Sequence, residues 1–278
     1  MGFEGAVIDA GGVRCRVLVD GWRAVSPRFV FKGYDRAVHG PEVAPGLDEE
    51  GMLPGRFAAL LIEGPEGLTL IDAGVGPFAG ELEAGRLAGE LEALGVSRTD
   101  VRTVVVTHGH ADHVGGLVTN DGVPVFERAR HLVHAAELAF WRSPGGRELP
   151  GDAGEPARVA FGALRAGGLL DEIDGDATVG VGVRAIEAPG HTPGHLAVVV
   201  NDALLWAGDA IVHPANVSHP AWISSADMDA DANVATRVAL LGRAADDRLI
   251  LAACHLPVVG AVRRDGSGFA FDRMDVGT

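Results

Sequence analysis

Thr107-His108-Gly109-His110-Ala111-Asp112-His113 places three imidazoles and one carboxylate within six residues, at the end of a valine-rich run that starts at Val101. The run reads as a buried strand and the cluster as the loop that the strand delivers. Such spacing lets His108 and His110 face one cation while Asp112 and His113 reach toward a second. Neutral imidazole and carboxylate are suitable ligands for zinc and related first-row metals. Gly109, Gly115 and Gly116 are expected to supply the tight turns that this crowding requires.

On the N-terminal side, apolar residues 57–62 and 68–71 predict a β-hairpin with a five-residue loop, residues 63–67. Leucines at 82, 87, 91 and 94 predict a helix over 78–94, stopped by Gly95. Asp72, at the end of the second strand, reads as a residue that supports the loop rather than a ligand. On the C-terminal side, a strand over 179–188 ends at Pro189-Gly190-His191. Residues 196–200 and 203–207 flank Asn201-Asp202, which is hairpin-turn chemistry. A helix is expected over 231–245, and a strand over 249–253 that leads into Cys254-His255. Strands are also expected over 258–262 and 269–271. Residues 143–156 form an excursion too short to separate domains, so 1–278 reads as one layered α/β domain. Ligand-type residues recur at strand ends, where α/β folds place their sites.

Composition narrows the chemistry. With 47% hydrophobic and 22% charged residues, the 278-residue chain is globular. Two cysteines cannot staple a disulfide scaffold, and the start lacks a basic segment followed by an apolar one, so a cytoplasmic location is expected. No apolar run reaches the roughly 18 residues of a membrane span. A net charge of −15, with Lys32 the single lysine, argues against a nucleic-acid partner and favours a neutral or cationic small molecule. The acidic stretch 227–233 imitates a calcium loop but carries Ala232 and Val238 where glycine and glutamate are needed, so it reads as a helix start. His131, His134 and His195 read as structural, and Cys254 as a small buried residue.

Three further residues follow in order: His191 in Pro-Gly-His-Thr-Pro-Gly-His, Asp209 in Ala-Gly-Asp-Ala, and His255 directly after a strand. With the H-x-H-x-D-H string, they make the sequence resemble the metallo-β-lactamase superfamily. That resemblance implies a four-layer αββα sandwich and two divalent metal ions, zinc by first choice, with iron, manganese or cobalt as alternatives. It places His108, His110 and His191 on one ion, and Asp112, His113 and His255 on the other, with Asp209 between them. Two dications about 3.5–4 Å apart repel, so a bridging carboxylate and hydroxide are needed, and coordinated water becomes a nucleophile near neutral pH. Asp112 and Asp209 are then the catalytic carboxylates, Asp112 doubling as a proton shuttle.

Residues 208–214, Pro220-Ala221-Trp222 and Cys254-His255-Leu256-Pro257 are similar to the branch containing methyl parathion hydrolase and quorum-quenching N-acyl homoserine lactonases. This implies hydrolysis of a lactone, ester or phosphotriester. The bridging aspartate argues against β-lactam hydrolysis. Thioester hydrolysis of the hydroxyacylglutathione kind and an iron-binding redox role remain as alternatives. Val258-Val259 departs from the branch, which usually has a second Pro-Gly pair there. The resemblance places Phe29, Phe31, Trp141, His213 and Trp222 around a hydrophobic substrate. A homodimer is a possible assembly.

Overall fold

Fourteen strands pair into two seven-stranded sheets in the computed structural model, which describes residues 5–147, 149 and 153–277. The first sheet runs in chain order: β1 (Ala6–Ala10), β2 (Val13–Val25), β3 (Leu53–Gly64), β4 (Gly67–Ile71), β5 (Val101–Val105), β6 (Arg130–His134) and β7 (Leu170–Ile173). The second holds β8 (Ala177–Gly180), β9 (Val183–Glu187), β10 (Leu196–Val200), β11 (Leu204–Trp206), β12 (Ile250–Ala252), β13 (Gly260–Asp265) and β14 (Gly268–Arg273). Strands β4 to β7 are mutually parallel, as are β11 and β12; the other pairings are antiparallel.

Side-chain alternation shows how the layers stack. On β3, Ala58, Leu60 and Ile62 join Leu196, Val198 and Val200 of β10 in a core between the two sheets. Ala59 and Leu61 point the other way, onto the helices Leu87–Ala93, Ala135–Arg142 and Glu155–Ala166. Ala197 and Val199 of β10 pack instead against Leu240, Leu241 and Ala244 of the helix Ala230–Asp246. Each sheet is therefore covered on both faces, which is why its central strands read as continuous apolar runs rather than alternating ones. The order helix, sheet, sheet, helix is the expected αββα sandwich. Among the described residues, no helix is long and apolar enough to cross a membrane.

The local expectations hold unevenly. The 57–71 hairpin forms, but Gly64 pairs with Gly67, so the turn is two residues rather than five. The strand over 179–188 is two strands, β8 and β9, folded about Val181-Gly182. Most of the 78–94 helix is absent. Gly80 and Gly85 take φ of +56° and +83°, and Glu83 pairs with Trp22, so only Leu87–Ala93 winds and Leu82 is left exposed. The turn at Asn201-Asp202, both at φ +48°, and the helix over 231–245 are where they were expected. Residues 148 and 150–152 of the excursion lie outside the described residues; its start forms the helix Pro144–Arg147.

Candidate metal centre

Five strand ends converge on one edge of the sandwich. β5 leads to His108, His110 and the short helix Ala111–Val114, while β4 leads to Asp72. Beyond β9 comes His191, beyond β11 Asp209, and beyond β12 His255. Space, not turn geometry, explains two of the loop glycines. A Cβ on Gly109 would lie 2.2 Å from the Trp141 indole nitrogen, and one on Gly116 would lie 1.9 Å from the Ala73 carbonyl oxygen.

The seven expected ligands meet. His110 Nδ1 lies 2.9 Å from His108 Nε2 and 3.1 Å from His191 Nε2. On the other side, Asp112 Oδ2 is 3.4 Å from His255 Nε2 and 3.6 Å from His113 Nε2. Asp209 stands between the two groups. Its Oδ2 is 3.4 Å from His191 Nε2 and 3.0 Å from His255 Nε2, and its Oδ1 is 3.4 Å from His113 Nε2.

Two observations test whether these residues suit divalent cations. His113 Nε2 and Asp209 Oδ1 are buried without a hydrogen-bond partner, a costly arrangement unless a cation meets them. The second is that hydrogen bonds on the far side of four rings turn their Nε2 atoms inward. His113 Nδ1–H donates to Asp72 Oδ2 at 2.8 Å and His191 Nδ1–H to Asp227 Oδ1 at 2.9 Å. His255 Nδ1–H donates to the Arg56 carbonyl at 2.5 Å. His108 Nδ1–H donates to Thr107 Oγ1 at 3.1 Å, and that hydroxyl donates to Asp72. Such outer partners orient imidazoles toward metals. The residues fit two first-row divalent ions.

The two groups differ in charge. Burial pushes His110 down to about 3, with His191 adding to the effect, and pushes His108 well below its ordinary value, so both are neutral donors. Burial works against protonation of His113 and His255 too, yet carboxylates overcome it. Asp209 and Asp72 hold His113 well up, and Asp209 with Cys254 holds His255 up to about 10. Asp209 is kept well below the usual carboxylate range by His255 and His113, despite its own burial. Positive charge is therefore stabilised on the Asp112–His113–His255 side, whether protons or a divalent ion carry it.

Supporting residues surround this centre, several of them not singled out by sequence. Asp72 sits at φ +64°, a left-handed conformation that aims its carboxylate at Thr107 and His113. Asp227, whose side chain is buried, is drawn down by its bond to His191 and also accepts from Asn233. The acidic stretch does open a helix, with Asp229 capping Ala232, but Asp227 itself turns inward. Glu137, buried, accepts from both metal-bearing loops. Arg56 donates to the carbonyls of Ala253 and Cys254 beside His255. Arg237 donates to the carbonyls of Ala210, Pro220 and Trp222. His195, driven down to about 3 by burial, accepts from the Asp209 amide and donates to Ala188. Cys254 shares a cluster with Asp112, His113 and His255, and its sulfur accepts from the Ala58 amide in the inter-sheet core. His131 and His134 are buried, as expected of structural histidines.

The substrate-pocket residues divide. Phe31 makes edge contacts with His213 at 5.1 Å and Trp222 at 5.4 Å, within a cluster that includes Val43, Leu53 and Ala215. Phe29 is 44% exposed, under the Arg23 guanidinium. Trp141 corrects its expectation. It is wholly buried in the helix-side core, its indole N–H donates to Glu137, and its ring backs His110 at 5.6 Å. A ring with no accessible surface supports the metal loop rather than a ligand.

Comparison with known proteins finds relatives of this sequence and of this fold. A stretch of 184 residues is 32% identical to a probable metallo-hydrolase of Mycobacterium tuberculosis, covering 55% of this chain and 56% of that one. The chain thus spans about half the length of that relative. The N-acyl homoserine lactonase AttM of Azorhizobium caulinodans is 28% identical over 185 residues, 59% of this chain and 65% of its own. AidC, a dizinc quorum-quenching lactonase, shares the fold with a TM-score of 0.86 at 24% identity, over 99% of this chain and 98% of its own. The family model for the metallo-β-lactamase superfamily matches residues 58–255, a window that holds all seven candidate ligand positions. The chain belongs to the metallo-β-lactamase superfamily.

Proposed function

We propose that this chain is a dinuclear metal-dependent hydrolase that opens a neutral, apolar lactone, with related esters and phosphotriesters as weaker substrates. The observation that carries the proposal is Asp209, the carboxylate that reaches both histidine groups. His108, His110 and His191 would hold one divalent ion and Asp112, His113 and His255 the other, zinc being the first choice. Bound there, the pair would polarise the substrate's electrophilic oxygen and provide a water-derived nucleophile at neutral pH.

The chain's own residues set the rest. Asp112 and His255 side chains are 18% exposed, whereas those of His108, His113, His191 and Asp209 are 5% exposed or less. Substrate therefore approaches over Asp112, His255 and the partly buried His110. Asp112 can take a proton at its carboxylate and return it to the leaving oxygen, since no other carboxylate of the centre is as open. The chain's net charge of −15 disfavours anionic substrates at long range. The lactonase relative and the shared fold of a second lactonase support a lactone over a thioester. The test is a substrate screen of zinc-loaded protein with acyl lactones, aryl esters, a phosphotriester and a glutathione thioester. The highest kcat/KM should fall on a lactone. A glutathione thioester in first place, or turnover of none of them, would overturn the proposal.

A further inference from the structure

We infer that Glu137 is a positioning residue for the metal group formed by His108, His110 and His191, an inference that rests on the metal reading above. Its carboxylate is wholly buried and accepts four hydrogen bonds. Oε1 accepts from the Gly109 amide at 2.8 Å and the Trp141 indole N–H at 2.5 Å. Oε2 accepts from the Thr192 hydroxyl at 2.8 Å and the Gly194 amide at 2.9 Å. Gly109 lies between His108 and His110, and Thr192 directly follows His191. One side chain on the helix Ala135–Arg142 thus fastens the two loops that carry all three imidazoles, although residues 109 and 191 are far apart in sequence.

There is no slack in this joint. A Cβ on Gly194 would lie 2.3 Å from the Glu137 amide nitrogen, and one on Gly109 would strike Trp141. The other metal group is held by different residues: Asp72 supports His113, and the Arg56 carbonyl supports His255. Among the described residues, no cation lies within 4.0 Å of Glu137 to share its work. An ionised carboxylate offers only acceptors, so four converging donors are matched to it and to nothing with an amide. Glu137→Gln keeps the shape but turns an NH2 group toward two of those donors.

The experiment measures zinc affinity by chelator competition in two backgrounds. His255→Ala leaves the first group intact; His191→Ala leaves the second. Adding Glu137→Gln should weaken zinc about 10–100-fold in the His255→Ala background and leave the His191→Ala background unchanged. Thr192→Val, which removes one donor only, should weaken the same group by less, and serves if the glutamine variant does not fold. Equal losses in both backgrounds, or none in the first, would overturn the inference and leave Glu137 a general strut. A wild-type chain that takes up no zinc would overturn the metal reading, and this inference with it.

Discussion

The two halves of the candidate metal centre differ in residue type and in electrostatics: three imidazoles in one, two imidazoles and a carboxylate in the other. His108, His110 and His191 form a group of mutually close imidazoles, of which burial keeps His108 and His110 neutral, tied from behind by Glu137. Asp112, His113 and His255 form a group in which carboxylates hold positive charge in place against burial. The first is ready to receive a cation; the second already stabilises charge and must exchange protons for a metal. Asp209 belongs to both, so the two halves are coupled through one carboxylate.

Removing that coupling should have the largest effect. Asp209→Ala takes away the charge that lies between two cations, and should abolish nearly all turnover and cost at least one metal equivalent by elemental analysis. A variant that retained two equivalents and near-normal kcat would break the comparison at its root. Asp72→Asn is the next test, read on the second half, where Asp72 bonds the His113 imidazole directly. Asparagine tolerates the left-handed backbone at position 72 but loses a carboxylate oxygen, so zinc affinity in a His191→Ala background should fall about 10–100-fold.

The halves should also differ in their dependence on pH. With His255 held up to about 10, metal uptake by the second group at neutral pH must release a proton, so its affinity falls as pH falls from 10 toward 7, by about tenfold per unit for each proton displaced. The first group, with His110 near 3, should show no such slope over that range. Calorimetric titrations in buffers of different ionisation enthalpy would count the protons in the His191→Ala and His255→Ala backgrounds. Equal release from both would remove the distinction. The smallest effect should come from the aromatic cluster's exposed neighbour. Phe29→Ala should leave the melting temperature unchanged, whereas Phe31→Ala should cost about 3–5 kcal/mol in a denaturant titration, because Phe31 is wholly buried.

Much of this was legible in the sequence where the information is local. The H-x-H-x-D-H string needs no distant partner to be recognised, and the apolar runs of β3 and β10 announce strands covered on both faces. What was not legible depends on distant pairing. Asp227 and His191 are 36 positions apart, and Arg56 reaches a carbonyl 198 positions away. Nothing local marks Glu137, because its four donors come from residues 109, 141, 192 and 194. Trp141 is put beside the substrate by resemblance alone, whereas the buried Glu137 carboxylate that accepts its N–H makes the core its home. The leucine spacing over 78–94 was helical, but two glycines with positive φ counted for more than four leucines. In the 63–67 stretch, glycine and proline suggested a loop while the ladder simply continued through Gly64 and Gly67.

The pairing of β11 with β12 acts as a ruler. These strands are parallel, with Trp206 opposite Ala252, and the ladder continues one step further through the Ala207 amide. Asp209 and His255 each stand three positions past that matched pair, so their separation is inherited from the spacing of neighbouring strands, about 4.8 Å. Lengthening the surface stretches between them would leave the spacing untouched, since both ends are anchored in the same ladder. Deleting one residue from β12 would shift His255 by a whole step and turn its side chain to the opposite face. Variation in length is thus free in the connections and forbidden in three residues of a strand, and a family built on this ruler can remodel its surface without recalibrating its metals.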